Sequence, residues 1–392
     1  MSKRKVLFLT SWYPSKVNPA LGNFVEKHAR CAAEVAEVTV LYATSSEHVS
    51  ELTFDESMVK GLQTLIVYFP KTPSKIPVIS KLLKTRNYLL ALRKGYEKLN
   101  KSFDLVHLNV AFPAGLFALE LKRKFNVPFV LLAHWTGYLS HKGDYQQLPI
   151  WLKLMHKKMF ADASQVLTVS KHLGESLREL GLVRNYQVFP NVVSNVFFYP
   201  DIEKANVQED TLRIIHISSC DNEHKNIVGM LSAIKQLNRE YSLQIITESS
   251  VKHVEQLMAQ VDFPIENVKI SSLLQPNEIG EPLRQSDVFV LFSNYETFSV
   301  VLAEAWMSGT PAVYSKCGGL TELNNKNLGV QVPAKDETSL KNALENFEKT
   351  DYSTREIAAY ASRFESVQLA NQLQLIYRNL TKVNKGTKSF EL

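Results

Sequence analysis

The sequence predicts an α/β protein of two domains, each built on a doubly wound, largely parallel β-sheet. Short runs rich in Val, Ile, Leu and Phe alternate with longer helix-periodic segments, which is typical of buried parallel strands joined by helices. This series occurs twice in 392 residues, a length that suits two domains. Between the two series lies Pro190–Pro200, followed by an acidic polar stretch to Asp210 that we interpret as a linker. We expect the domains to face each other across a central cleft.

The apolar runs predict a strand order along the chain. In the first half we place strands near Val6–Thr10, Val38–Tyr42, Leu65–Phe69, Leu105–Asn109, Phe129–Ala133, Gln165–Val169 and Tyr186–Phe189. In the second half we place them near Arg213–Ser218, Leu243–Thr247, Val268–Ser271, Val288–Phe292 and Ala312–Ser315. The predicted domains are therefore 1–190 and 191–365. They are followed by a helical segment, 366–392, that ends in a frayed tail.

Composition excludes several classes of protein. Hydrophobic residues make up 45% and charged residues 21% of the chain, which excludes a disordered or coiled-coil protein. The cysteines Cys31, Cys220 and Cys317 are far apart and odd in number, so neither a disulfide framework nor a zinc site is indicated. No uncharged apolar stretch reaches the roughly 18 to 20 residues that span a bilayer. We expect a cytoplasmic protein that associates at most peripherally with the inner face of the membrane.

Charge is distributed unevenly along the chain. Residues 1–190 contain 26 Lys and Arg against 14 Asp and Glu, whereas residues 191–392 contain 19 against 25. Within 60–101 the basic residues are interleaved with leucines and tyrosines, and Glu97 is the single acid. This pattern fits a basic amphipathic segment on an anionic membrane surface. The alternative is a solvated helix whose apolar stripe packs on the sheet. No nucleic-acid motif accompanies the basic residues, so we expect no nucleic-acid partner.

The most informative segment is 292–311. It predicts a strand, a loop, a helix that starts near Thr297, a glycine stop and a further strand. The free N–H groups at the start of such a helix, and its positive dipole end, can bind a phosphate. Glu296 lies at the helix start and Glu304 about 12 Å further along the axis. Carboxylates on both sides of a diphosphate suit the two sets of hydroxyls that a sugar nucleotide carries.

The surroundings of these glutamates resemble a known signature. Gly309-Thr-Pro311 and then Gly318-Gly319 and Glu322 follow the pair in order. The whole block resembles glycosyltransferase family 4, the group 1 retaining glycosyltransferases with the GT-B fold. The resemblance implies two Rossmann-like domains that face a central cleft, with the helix of 366–392 crossing back onto the first domain. It also implies a retaining transfer of a sugar from a nucleotide diphosphate sugar to a hydroxyl acceptor, in assembly of a surface polysaccharide or glycolipid.

The same resemblance covers the first domain. Gly22, Asn23 and Phe24 match the family's glycine-rich loop, although the usual second glycine is Asn23 here. Their amides would face the reacting phosphate and a glycan or lipid-linked acceptor. His134 follows the strand near Phe129–Ala133 and, by resemblance, lies beside the transferred sugar, where it can donate or accept one hydrogen bond. We expect His107, on the neighbouring strand, to be structural.

In the second domain the resemblance assigns the donor-binding groups. Lys225 matches a family lysine that neutralises the donor diphosphate, whereas Cys220 stands where an arginine is expected. Thr297, Phe298, Ser299 and Glu304 would bind the nucleotide side, and Glu296 would hold the sugar as a catalytic group together with His134.

The chain has no pair of aspartates two residues apart, the motif with which other glycosyltransferases hold a divalent ion. We therefore expect no metal site and no cofactor, because Lys225 and the helix dipole can offset the diphosphate charge. The family's mechanism needs no enzymic nucleophile, since the leaving phosphate helps to take the acceptor proton. Closure of the domains would exclude water.

Two alternatives remain. A nucleotide-sugar 2-epimerase of the same fold would bind a sugar nucleotide but need no acceptor. A non-catalytic subunit that binds a glycan or lipid carrier is motivated by Cys220 in place of the arginine.

Overall fold

A computed structural model describes residues 3–59, 61–71, 77–140, 143–201, 211–272 and 276–385. The chain divides into two compact units, described separately below. The N-terminal unit comprises Met1–Val192 and Ser366–Leu392, and the C-terminal unit comprises Val193–Glu365. Most of the predicted acidic linker and of the predicted tail lies outside the described residues.

The N-terminal unit is built on one sheet. Its strands are β1 (Arg4–Thr10), β2 (Ala36–Ser46), β3 (Thr53–Val59), β4 (Leu62–Pro70), β5 (Leu105–Asn109), β6 (Phe129–Ala133), β7 (Gln165–Thr168) and β8 (Gln187–Val188). The spatial order is β3-β4-β2-β1-β5-β6-β7-β8, parallel except for the antiparallel pair of β3 and β4. All residues of β5 and β6 are buried, as expected of parallel strands covered on both faces.

Helices connect these strands and cover the sheet. They are α1 (Asn23–Val35), α2 (Pro77–Leu99), α3 (Gly115–Phe125), α4 (Asp144–Gln147), α5 (Ile150–Asp162) and α6 (Lys171–Glu179). The order of strands places the loops after β1, β5 and β6 next to each other at one edge of the sheet. Ligands bind at such edges in open α/β sheets.

The C-terminal unit has a second parallel sheet. Its strands are β9 (Leu212–Ser218), β10 (Tyr241–Thr247), β11 (Val268–Ser272), β12 (Val288–Leu291), β13 (Ala312–Lys316) and β14 (Gly329–Pro333), in the order β11-β10-β9-β12-β13-β14. Its helices are α7 (Asn222–Lys225), α8 (Ile227–Lys235), α9 (Val251–Ala259), α10 (Pro276–Gln285), α11 (Val300–Met307), α12 (Glu337–Glu345) and α13 (Thr354–Ala361). The loops after β9 and β12 are neighbours because these strands pair.

The last helix, α14 (Ser366–Lys385), belongs to the N-terminal unit. It packs on α1, and the Arg4 Nε donates to Thr381 Oγ1 at 2.7 Å. Where the chain leaves the C-terminal unit, the Val193 N–H donates to the Phe364 carbonyl at 2.9 Å. The chain segments that enter and leave this unit are therefore hydrogen-bonded to each other.

The predicted strands correspond to twelve of the observed strands, and two observed strands were not predicted. One is β3, an edge strand with several exposed residues, which pairs with β4 as a hairpin. The other is β14, a five-residue strand that begins at Gly329 and ends at Pro333, residues with low strand propensity. Both strands form by pairing with a neighbouring strand, and neither has a strong apolar pattern in its own sequence.

The basic segment 60–101 contains helix α2, whose apolar side packs on the sheet. Tyr88 and Leu92 are buried, and Gly95 faces β2 and β4 so closely that a Cβ would lie 2.7 Å from a Leu41 methyl group. The buried stripe thus packs on the sheet, as the second interpretation expects, and the exposed side of α2 keeps basic residues and Leu82 and Leu90 at the surface. Lys60 and Lys75 lie outside the described residues.

Candidate functional site

Glu296 follows β12 and is the centre of a charged cluster in the C-terminal unit. Glu296 is 8% exposed, and its Oε1 accepts hydrogen bonds from Lys225 Nζ at 2.6 Å and from Ser293 Oγ at 2.9 Å. Charge-assisted hydrogen bonds are strong where water is largely excluded. The structure therefore joins two residues that the sequence assigned separately to the sugar and to the diphosphate.

The backbone of Glu296 is held by the double glycine. The Gly319 N–H donates to the Glu296 carbonyl at 2.9 Å. Gly318 has φ +46°, and a Cβ at that position would lie 1.9 Å from the same carbonyl oxygen. Only glycine fits this approach, so the Gly318-Gly319 element of the sequence signature serves to position Glu296.

The loop that carries Lys225 is fixed to the loop that carries Glu296. The Asn294 N–H donates to the His224 carbonyl at 2.8 Å, and Asn294 Nδ2 donates to the Glu223 carbonyl at 2.9 Å. The Lys225 side chain is 22% exposed. These hydrogen bonds anchor the short helix α7. The Lys225 ammonium group is therefore held at the carboxyl edge of the sheet.

The helix start predicted at Thr297 is wrong. Helix α11 begins at Val300, and its N-cap is Ser299, whose Oγ accepts from the Leu302 N–H at 3.3 Å. Ser299 has φ +87°, which is unusual for a residue with a Cβ. Phe298 lies before the helix and is buried, and its ring packs edge-on against the Phe364 ring at a centroid distance of 5.2 Å. The amides of 297–299 thus belong to the loop, and the unbonded helix amides begin at Val300.

Glu304 lies in the second turn of α11 and is only 5% exposed. Since Glu296 precedes the helix, the 12 Å axial spacing does not apply to this pair. Both carboxylates are nevertheless buried, although an isolated pair of glutamates would be expected on the surface. A buried carboxylate has a high desolvation cost, which is consistent with a functional requirement.

Cys220 cannot be replaced simply by the arginine expected there. Its side chain is fully buried in the apolar core, and its φ is +54°. Its N–H donates to Ser218 Oγ at 3.0 Å, and its carbonyl oxygen lies 3.2 Å from His253 Nε2. Burial raises the pKa of the thiol, so the group is not a thiolate at neutral pH. Lys225 is therefore the cation that this loop presents beside Glu296.

In the N-terminal unit, Gly22 begins α1 in a left-handed conformation. Its φ is +75°, and a Cβ would lie 2.7 Å from the Trp12 carbonyl carbon and oxygen. The next residue, Asn23, is exposed. The Phe24 ring contacts the rings of Trp12 and His134, with centroid distances of 6.3 and 4.7 Å. The loop after β1 and the residue after β6 therefore meet at one edge of the sheet.

His134 is 6% exposed and its Nε2 lies 3.2 Å from Asn109 Oδ1. Burial is the main cause that holds the pKa of His134 well below its usual value, with smaller contributions from His28 and His107. The imidazole is therefore neutral at pH 7. With the proton on Nε2 donated to Asn109, Nδ1 keeps a lone pair that can accept one hydrogen bond from a hydroxyl.

Sequence reasoning missed the residues that support His134. His28 is fully buried, its ring centroid lies 5.4 Å from that of His134, and its Nε2 lies 2.9 Å from Asn191 Oδ1. Asn109 ends β5, and its strand-end position was the available signal. His107 is buried with Nδ1 2.5 Å from the Tyr377 hydroxyl, in agreement with a structural role.

Desolvation lowers the pKa of His28 to about 4 and that of His107 to about 3. In the described part of the chain, no group of three or more His, Cys, Asp or Glu side chains is arranged to hold a metal ion. In the same part, every helix is either too short or too polar to cross a membrane.

Two α/β units, each built on a largely parallel sheet with polar side chains after its strands, have the architecture of the GT-B fold. Solved GT-B structures align over nearly the whole chain. Sucrose-phosphate synthase from Thermosynechococcus elongatus aligns with a TM-score of 0.76 and 18% identity, covering 97% of this chain and all of that one. HepE from Anabaena, in complex with UDP-glucose, aligns with a TM-score of 0.70 and 17% identity, covering 96% and 100%.

The family follows from sequence comparison. A model of glycosyl transferases group 1 matches residues 199–364, and a model of glycosyltransferase family 4 matches residues 22–195. The chain belongs to this family of group 1 glycosyltransferases. The fold class and the family predicted from the sequence are thus confirmed.

Two relatives illustrate the range of the family. The chain is 20% identical to TuaC of Bacillus subtilis (strain 168), a glycosyltransferase assigned to teichuronic acid biosynthesis, over 97% of this chain and 100% of that protein. It is 26% identical to the MMP α-(1→4)-mannosyltransferase of Mycolicibacterium hassiacum, over 60% of this chain and 57% of that protein.

Proposed function

We propose that this glycosyltransferase moves a sugar, with retention of configuration, from a nucleotide diphosphate sugar to a hydroxyl acceptor. The observation that carries this proposal is the ion pair of the partly buried Lys225 with the buried Glu296, joined at 2.6 Å at the carboxyl edge of the sheet. A diphosphate that reaches Lys225 replaces Glu296 as the partner of the ammonium group. The released carboxylate can then accept hydrogen bonds from the hydroxyls of the sugar.

Other groups complete the donor site. Glu304 accepts hydrogen bonds from the ribose hydroxyls, and the 297–299 loop with the first amides of α11 contacts the diphosphate. HepE, a protein of the same fold, has been solved with UDP and with UDP-glucose, which supports a nucleotide-sugar donor. Charge on the diphosphate is offset by Lys225 and by backbone amides, so the proposed reaction needs no metal ion.

The N-terminal unit supplies the groups for the sugar and the acceptor. His134 accepts a hydrogen bond from the transferred sugar through Nδ1, and the Gly22–Phe24 loop contacts the incoming acceptor. The bond from the sugar carbon to the phosphate oxygen breaks while the acceptor oxygen bonds to that carbon on the same face. The acceptor proton goes to the leaving phosphate oxygen, so no nucleophilic side chain is required.

The acceptor that we propose is a glycan or lipid-linked saccharide of a surface polysaccharide or glycolipid. Relatives support this class, since TuaC is assigned to teichuronic acid biosynthesis and another relative, LpsD of Rhizobium meliloti (strain 1021), to lipopolysaccharide core biosynthesis.

Titration calorimetry with a panel of sugar nucleotides, without metal, tests the donor site. We expect one donor to bind the parent and to lose at least about tenfold in affinity with Lys225→Ala or Glu304→Ala. Lys269→Ala, on an exposed part of β11, is the matched control and should bind like the parent. Equal affinity of Lys225→Ala and Lys269→Ala would contradict the assignment of Lys225.

A non-catalytic binding subunit is the second candidate, because the buried Cys220 leaves the loop without the arginine expected there. The absence of binding to any sugar nucleotide would favour it. A 2-epimerase is distinguished by its product, since it would release an epimerised sugar nucleotide in the absence of any acceptor.

We also propose that 60–101 contacts an anionic membrane surface. Leu82 and Leu90 are 51% and 43% exposed on α2, beside the exposed Arg86, Arg93 and Lys94. Vesicles with phosphatidylglycerol should carry the parent upward in a flotation gradient, and salt should reverse this because the attraction is screened. Equal flotation of a variant with the three basic residues changed to Gln would refute the proposal. Vesicles of phosphatidylcholine are the control.

A further inference from the structure

A polar cavity opens at the carboxyl edge of the N-terminal sheet. Its volume is about 510 Å³, and it lies where β2 and β4 end and α2 begins. Its polar lining residues are Ser45, Ser46, Glu47, Lys71, Ser80 and Lys84. None of the residues assigned above to the donor or to the sugar lines it.

The charges of this cavity favour an anion. Lys71 Nζ pairs with the Glu47 carboxylate at 2.6 Å, so these two charges offset each other. Lys84 is exposed and forms no ion pair with another described residue, so its ammonium group is an unneutralised positive charge at the cavity. Serine hydroxyls beside an ammonium group can donate further hydrogen bonds to phosphate or carboxylate oxygens.

The position of the cavity relates it to the sugar-binding edge. The strand order β4-β2-β1-β5-β6 places the cavity and His134 along the same edge of one sheet. Neighbouring strands lie about 4.8 Å apart, so a point between β4 and β2 is roughly 17 Å from the end of β6. A ligand that reaches from His134 to Lys84 must therefore be longer than a single sugar ring.

We propose that this cavity binds an anionic group of the acceptor, a phosphate or a carboxylate, through Lys84 and the hydroxyls of Ser45 and Ser80. That the bound anion belongs to the acceptor rests on the function proposed above. The anion would lie roughly 17 Å from the end of β6, where His134 contacts the transferred sugar. Two sources carry this chemistry: the diphosphate of a lipid carrier and the uronate of an acidic glycan.

Calorimetry on the full chain tests the cavity with two probes, inorganic pyrophosphate and tetragalacturonate. Lys225→Gln removes the donor-site cation, and binding should persist in that variant. Lys84→Gln should weaken this remaining binding at least about tenfold, because one charge-assisted contact is lost. Lys269→Gln is the matched control, since it removes the charge of an exposed lysine on β11, in the other unit.

The two probes distinguish the sources. Pyrophosphate binding that depends on Lys84 indicates a carrier diphosphate, and tetragalacturonate binding that depends on Lys84 indicates an acidic glycan. The proposal is overturned if the parent binds neither probe, or if Lys84→Gln binds both as tightly as Lys269→Gln. The parent could bind a probe through Lys84 and yet bind no sugar nucleotide. That result would uphold the anion site and refute the proposed transfer.

Discussion

Mild acid should destabilise the N-terminal unit through its buried histidines. His28 and His107 are fully buried, and desolvation lowers the pKa of His28 to about 4 and that of His107 to about 3, from 6.5. An unfolded chain takes up protons at these positions as the pH falls below 6.5, whereas the folded chain does not. The free energy of unfolding is therefore undiminished by these histidines above pH 6.5. It decreases as the pH falls from 6.5 toward the folded pKa values of about 4 and about 3.

The magnitude follows from the two pKa values of each group. For His28, a folded pKa of about 4 against 6.5 corresponds to a loss of about 2 kcal/mol between pH 7 and pH 5. His107 contributes about 2 kcal/mol more over the same range. His134 shifts in the same direction, so the three histidines act together.

Urea unfolding of the parent and of His28→Gln at pH 7 and pH 5 measures this contribution. The glutamine amide can keep the hydrogen bond to Asn191, and it does not titrate. The free energy of unfolding of the variant should fall about 2 kcal/mol less than that of the parent between the two pH values. His48→Gln removes an exposed imidazole and should behave like the parent. Equal losses in the parent and in His28→Gln would refute the reasoning.

Three substitutions test backbone positions of the site. Gly318→Ala should cost about 3 kcal/mol of stability and weaken sugar-nucleotide binding, because its Cβ would lie 1.9 Å from the Glu296 carbonyl oxygen; calorimetry and urea unfolding measure both effects. Gly22→Ala should cost about 2 kcal/mol in urea unfolding, since its Cβ would lie 2.7 Å from the Trp12 carbonyl and its φ is +75°. Cys220→Arg should lower the melting temperature and not improve donor binding, because the side chain is fully buried; tighter binding in a stable variant would contradict this.

Much of the architecture was predictable from local pattern. The apolar runs at Leu105–Asn109 and Phe129–Ala133 are fully buried parallel strands with the predicted bounds. Buried strands need apolar side chains on both faces, and that requirement is visible in a short window of sequence. The edge strands β3 and β14 escaped prediction because their residues need no such continuous run.

The start of α11 shows the limit of local pattern. The residues from Thr297 to Ser299 are all compatible with a first helical turn, and the sequence predicts one there. In the structure Phe298 packs into the apolar interior and Ser299 caps the helix. The buried ring and the serine cap accompany the later helix start, and no local spacing in the sequence indicates either of them.

The sequence by itself determined the family, the two sheets and the chemical groups at their strand ends, because these depend on residue type and on spacing along the chain. Only the tertiary structure decided which groups meet. Lys225 and Glu296 are 71 residues apart and His28 and Asn191 are 163 residues apart, yet each pair is hydrogen-bonded. Such contacts arise from the order in which strands pair, so their partners and the resulting burial, which sets the pKa values of the histidines, follow from the fold.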